Sequence, residues 1–138
     1  MIRFSARGDM IVNGTLTANG QNGYSWHGGG GSGGAIWITC RNFAGSGLMR
    51  ANGGDKHGSG GSGGGGRIAV WYNVPESQWS AIAQGSMYRV VVTNNLMSYS
   101  GSTVVNPGLD GSYTPQPSTG TVVFLTVLPP AGTTMMIR

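Results

Sequence analysis

The apolar positions of this chain fall into short blocks separated by long runs that carry almost no apolar side chain. Ala35-Ile36-Trp37-Ile38-Thr39, Arg67-Ile68-Ala69-Val70-Trp71-Tyr72 and Thr121-Val122-Val123-Phe124 are rich in β-branched and aromatic residues, and each is entered through a glycine: Gly34, Gly66 and Gly120. Short apolar blocks bounded by glycine predict strands rather than helices. A second set of blocks ends at an asparagine: Gly14-Thr15-Leu16-Thr17-Ala18-Asn19-Gly20, Gly47-Leu48-Met49-Arg50-Ala51-Asn52-Gly53 and Gly101-Ser102-Thr103-Val104-Val105-Asn106-Pro107-Gly108. The first two are offset by 33 residues, and from asparagine to entry glycine the distance is 15, 14 and 14 residues. Such constancy predicts one structural unit used three times, which buries its strands only when the copies stack.

Superposing the copies predicts the interior. Leu16, Met49 and Thr103 form one column, and Ala18, Ala51 and Val105 the next. From the other strand, Ile36, Ile68 and Val122 align, as do Ile38, Val70 and Phe124. Strand side chains alternate between faces, so these columns share one interior. The opposite face, with Trp37, Ala69, Val123, Thr39, Trp71 and Leu125, is also apolar and is expected under a layer of glycine or against another subunit. Asparagine followed by glycine predicts a turn with positive φ after each first strand. Between the second and third copies lies an insertion, 73–89, in which Val74-Pro75-Glu76 and Gly85 bracket a short helix with Trp79, Ile82 and Ala83 on its buried face. Met87 to Thr93 reads as a further strand.

The runs 28–34 and 58–66 are almost pure glycine. Linkers join domains, whereas these runs recur inside the unit at a fixed distance from the same strand, so they are read as ordered spans. Ordered polyglycine favours an extended left-handed threefold helix without internal hydrogen bonds. Its backbone groups must then bond to neighbouring spans. The fold expected is therefore all-β: a glycine-rich, β-solenoid-like stack of three repeats with polyglycine II spans and one short helical insertion. Residues 1–138 form one domain, with copies at about 10–40, 47–72 and 98–127.

Composition narrows the functional classes. Of 138 residues, 27 are glycine and 6 proline without a Gly-X-Y period, which excludes collagen. Charged residues are 9%, and four Trp, five Tyr and three Phe argue for a folded chain with a nearly neutral surface. The net charge of +4 comes from scattered arginines and one lysine, which form no basic stripe for nucleic acid. No apolar run approaches the length of a membrane span, and the first residues lack the apolar core of a secretory signal. The single cysteine, Cys40, is expected as a buried thiol.

Candidate chemistry is sparse. Asp9, Asp55, Glu76 and Asp110 lie in different segments, so no carboxylate pair is expected. His27, His57 and Asp55 could meet across copies, but without metal-ligand spacing they are read as solvated loop residues. Chance accounts for the G-x-G-x-x-G matches in so glycine-rich a chain. The same holds for Arg7-Gly8-Asp9, while Asn13-Gly14-Thr15 is a glycosylation sequon relevant only in a eukaryotic secretory host. No cofactor, metal or catalytic residue is expected. Tyr24, Trp26 and His27, at a loop tip with glycine beside them, offer aromatic faces on which a sugar ring could stack, unless Trp26 folds back onto the stack. Met1, Ile2 and Phe4 at one end, and Met135, Met136 and Ile137 at the other, are candidates for self-association.

The run NGTLTANG, with GGGGSGGAIWITC, FAGSGLMRANGG and GSGGGGRIAVWY after it, resembles the glycine-rich repeats of very large bacterial surface and secreted proteins, closely over about 10–72 and loosely over 98–127. The glycine packing is similar to that of phage tail-tip adhesins with a polyglycine sandwich, and to the glycine-rich domain of the anaplastic lymphoma kinase receptor. The resemblance implies a scaffold or adhesion role and carries no catalytic residue onto this chain. The expectation is a non-enzymatic structural protein, its partner itself, at the cell surface, outside the cell, or in a virion. The alternative is an adhesin or carbohydrate-binding module whose partner is a surface glycan. An ice-binding face would need a regular threonine array, and Thr15, Thr17 and Thr39 do not recur in the second copy.

Overall fold

The computed structural model describes residues 1–85, 90–93, 96, 98–109 and 116–128. In chain order the elements are β1 (Ile2–Ile11), β2 (Thr15–Thr17), β3 (Ala35–Ala44), β4 (Leu48–Arg50), β5 (Arg67–Tyr72), a 3-10 turn (Glu76–Gln78), α1 (Trp79–Ala83), β6 (Val90–Thr93), β7 (Ser102–Val104) and β8 (Thr121–Val127). The fold is largely β with one short helix. The strands form a five-stranded sheet in the order β1-β3-β5-β8-β6 and a three-stranded sheet in the order β2-β4-β7. All pairs are parallel except β6 with β8. Parallel neighbours need a long return path, and the glycine-rich spans supply most of it.

The two sheets close on one core. Leu16 pairs with Met49 and Met49 with Thr103, while Ile36 pairs with Ile68 and Ile68 with Val122. Ile38, Val70 and Phe124 form the neighbouring column. Ile38, Met49, Ala51, Ile68 and Val70 are fully buried. The larger of these, Ile38, Met49, Ile68 and Val70, each contribute about 1.5–3 kcal/mol through burial. Phe43, Tyr99 and Phe124 close the far side of the core, with ring centroids 5.0, 6.2 and 6.3 Å apart. Tyr99 donates its hydroxyl proton to the Gly47 carbonyl at 2.8 Å, so its one polar atom is satisfied.

β1 adds a strand that the three aligned segments do not contain. Ile2 lies opposite Ile36 and Phe4 opposite Ile38, which extends both interior columns by one residue at the sheet edge. The register breaks between Ala6 and Asp9.

The glycine-rich half bonds through its backbone. Gly31 and Gly34 donate N–H groups to Gln21 and Ala18 in the preceding span, while Gly30 and Gly33 donate to Gly61 and Gly64 in the following one. One span later, Gly63 and Gly66 donate to Gly54 and Ala51, and Gly65 donates to Ser118. Donors three residues apart therefore reach the same neighbour, at N···O distances of 2.7–2.9 Å. Glycine serves here for close approach rather than for positive φ, which among the described glycines occurs only at Gly45, Gly58 and Gly85. A Cβ on Gly63 would fall on the Gly31 carbonyl, and one on Gly66 on the Gly34 carbonyl.

Two sequence expectations are corrected here. Asn19, Asn52 and Asn106 do not make positive-φ turns, since Asn73 is the sole described non-glycine residue with positive φ. The side chains of Asn19 and Asn52 bond to the next segment instead. Asn19 Oδ1 accepts the Asn52 N–H at 2.9 Å, and Asn52 Oδ1 accepts the Asn106 N–H at 2.9 Å. Asn22 Oδ1 takes the Asp55 N–H and Asp55 Oδ1 the Leu109 N–H in the same way, at 2.8 and 2.7 Å. The second correction concerns the outer face of the large sheet. The insertion covers part of it: Val74, Ile82 and Val127 form a small buried cluster against Trp71 and Trp79. Trp37 stacks on Trp71 at 6.0 Å. Ile82 and Trp79 face inward as expected, but Ala83 is exposed, because α1 is only five residues long. Of the strand expected from Met87, Val90–Thr93 is described and the rest lies outside the described residues.

Candidate functional site

Large apolar groups are exposed at two regions, the loop tips between glycine spans and the β1 edge, besides Val91 and Val92 on β6.

At the tips, residues 24–27 join one pair of spans and 56–59 the next. The backbone clamps the two loops together. Ser59 N–H donates to the Trp26 carbonyl and His57 N–H to the Gly28 carbonyl, both at 3.0 Å. Gly58 has φ +58, and a Cβ there would strike the Trp26 carbonyl, so this corner requires glycine twice over. His27 Nδ1 lies 2.5 Å from Ser59 Oγ. The His57 ring meets Trp26 edge-on, with centroids 6.3 Å apart and planes at 87°. Tyr24 is nonetheless 94% exposed and Trp26 79% exposed. Trp26 therefore does not fold back onto the stack. Leu109, bonded through its N–H to Asp55, is exposed on the adjoining loop. The structure thus brings Tyr24, Trp26 and His27 to one tip and adds His57, which the sequence reading set near His27 across copies but did not count with the aromatic group. Aromatic faces with imidazole edges beside them can hold a hydroxyl-bearing ring. Both histidines already have a neighbour in the facing loop.

At the other region, β1 pairs with β3 on one side, and among the described residues no strand pairs with its other side. Phe4 is 38% exposed, Ile11 63% and Met1 87%, while Ile2 is half-buried against the core. Met135, Met136 and Ile137 lie outside the described residues. Arg7-Gly8-Asp9 falls within β1 at its irregularity rather than at a hairpin tip. Arg7 Nη1 pairs with Glu76 Oε1 at 3.0 Å, and Asp9 Oδ1 accepts from Asn42 Nδ2 at 2.6 Å. Both groups of the tripeptide are thereby engaged. Solvent-exposed pairs of this kind add little stability. A cleft of about 620 Å³ beside them is lined by Arg7, Arg41, Asn42, Asn73 and Glu76.

Cys40 is fully buried, with its thiol 3.7 Å from the Trp71 carbonyl. Burial pushes the thiol up to about 12, and the nearby Asp9 charge acts in the same direction. A thiol so placed is a packing group rather than a nucleophile. Sequence reasoning missed the asparagine ladder and the pairing of β1. The repeated asparagine at matching places was the signal for the first. No family model matches the chain, and the comparisons with curated proteins and with solved structures likewise found nothing similar to it.

Proposed function

We propose that this chain is a non-enzymatic structural protein that associates with itself, as a building block of an extracellular or virion fibre, stalk or sheath. In this reading the chain is a solenoid-like stack of three copies of one unit, with its glycine runs in the polyglycine II conformation. The threefold spacing of donors such as Gly31 and Gly34 toward one neighbour supports that conformation, since each residue of such a helix turns its N–H by a third of a circle. The observation that carries the functional reading is the β1 edge, ten residues long, without a described partner and bordered by exposed Met1, Phe4 and Ile11. Open edges of this length are templates for pairing with another chain. Sedimentation velocity over a rising concentration series tests it. Growth of the sedimentation coefficient is expected, and a monomer unchanged by concentration would remove the reading.

A second reading is favoured by the exposure of Tyr24 and Trp26: a carbohydrate-binding or adhesin module that uses the tip. Glycan-array binding that disappears in Trp26→Ala supports it, and an array without signal for the unaltered protein counts against it.

A further inference from the structure

The self-association proposed above leaves open which surfaces meet, and the two ends of the molecule are not equivalent. Among the described residues, β1 and β2 are at one end the outermost strands of their sheets, one strand beyond β3 and β4 respectively. That end is level across both sheets. At the other end the last described strand of the small sheet is β7, one strand beyond β4, whereas the large sheet continues past β5 to β8 and β6. Two further strands at ~4.8 Å each leave a step of roughly 10 Å. A second copy seated with its β1 on β6 would hold its β2 about two strand spacings away from β7.

The backbone is blunted at that stepped end as well. Gly20 and Gly53 donate N–H groups to the next segment, at the Asn52 and Asn106 carbonyls. The third equivalent position is Pro107, which has no proton to give. Proline at an exposed edge is a usual block to further pairing.

We propose that the level end is the docking surface for a second copy of this chain, related by a two-fold axis, with β1 pairing antiparallel to the second copy's β1. This rests on the self-association reading and specifies its first joint. β1 is regular from Ile2 to Ala6, before the break in register, and the middle of that stretch is Phe4. With Phe4 on the axis, Ile2 faces the second copy's Ala6 and Arg3 faces its Ser5, so no like charges are opposed. The exposed ring of Phe4 then packs on its own counterpart, and the large sheet runs unbroken through both copies. A two-fold joint is closed, so this joint alone yields a pair, and a fibre built from such pairs needs a second, different joint. Antiparallel pairing also directs the two aromatic tips away from one another, so the pair displays two tips on opposite sides.

Disulfide trapping reads the register directly. Directly opposed residues in an antiparallel pair have Cα atoms about 4.5–5.5 Å apart, within the range a disulfide spans. Phe4→Cys is expected to give a covalent dimer on oxidation, while Ile11→Cys, far from the axis, stays monomeric on a non-reducing gel. Cys40 is buried and does not compete. Because Phe4 also touches the core column, a second pairing guards against misfolding: Arg3→Cys mixed with Ser5→Cys, both at exposed positions, is expected to cross-link in the mixture. If the unaltered protein associates in sedimentation but neither the Phe4 variant nor the mixture cross-links, the two-fold joint is wrong and self-association stands. If Ile11→Cys cross-links instead, the register is wrong. A strictly monomeric unaltered protein removes both.

Discussion

The molecule has a half built by side chains and a half built without them. In the strand half, parallel β3, β5 and β8 hold register because Ile36, Ile68 and Val122 must share a core. In the glycine half, spans such as 28–34 and 60–66 carry no side chain except Ser32 and Ser62, and register comes from backbone bonds such as Gly33 N–H to the Gly64 carbonyl. The first half gains stability by adding apolar surface to an interior. The second does so by removing every atom that would keep two backbones apart. Ordering glycine carries a large conformational cost, so the lateral bonds and close contacts of the spans must offset it. One carbon atom therefore has opposite meanings on the two sides of the molecule.

That contrast is most sharply tested by single-carbon changes. Gly63→Ala places a methyl on the Gly31 carbonyl, a backbone atom with nowhere to move. A loss of more than about 3 kcal/mol in urea unfolding is expected, at the upper end for overpacked sites. Gly61→Ala, two residues away with open space beside it, should stay within about 0.5 kcal/mol. Removing a carbon from the strand half at Ile38→Val should cost about 0.5–1.5 kcal/mol. If Gly63→Ala is tolerated as well as Gly61→Ala, the spans are not packed as described.

Base should attack the strand half selectively. Cys40 ionises at about 12 in the folded chain, against 9.0 for a free thiol. Above pH ~9 the unfolded chain has lost that proton and the folded chain keeps it, so stability falls as pH rises, by about 1.4 kcal/mol per unit, until the folded thiol also ionises. Burial raises the Tyr99 phenol above its ordinary value, which acts with the same sign at higher pH. Urea midpoints between pH 8 and 11 check this, and Cys40→Ala should flatten the first part of the decline.

A smaller effect separates the asparagine ladder from the rest of the glycine half. Asn52→Ala removes the acceptor for the Asn106 N–H and should cost about 1–2 kcal/mol in thermal or urea unfolding. Asn52→Asp keeps an acceptor at the same place and should lose less. Equal losses would mean that the ladder contributes nothing specific.

The interior columns were legible in the sequence because each apolar block alternates and each returns at nearly the same distance from its asparagine. Leu16 with Met49 and Ile38 with Val70 could be paired on that basis alone. β1 was not, because Ile2-Arg3-Phe4-Ser5-Ala6 has no glycine run before it to mark it as the same kind of strand. The asparagines misled for a different reason. Local preference puts Asn-Gly in a turn, whereas here the carboxamide serves a neighbour 33 or 54 residues away, which no local rule sees. The covering of Trp37 and Trp71 by the insertion depends on where a 3-10 turn delivers α1, and the sequence shows only that a helix is there. At the tip the residue types were readable but not their exposure, since the Trp26 carbonyl is held from the facing loop by the Ser59 N–H, at a corner where only Gly58 fits.

Native-state amide hydrogen exchange resolved to single glycines addresses the central claim most directly. The N–H groups of Gly31, Gly33, Gly63 and Gly65 each bond to a neighbouring span. They should exchange as slowly as those of β3 and β5, through the same opening of the whole fold. Exchange of these four at the rate of a denatured peptide, with β3 and β5 still protected, would contradict it.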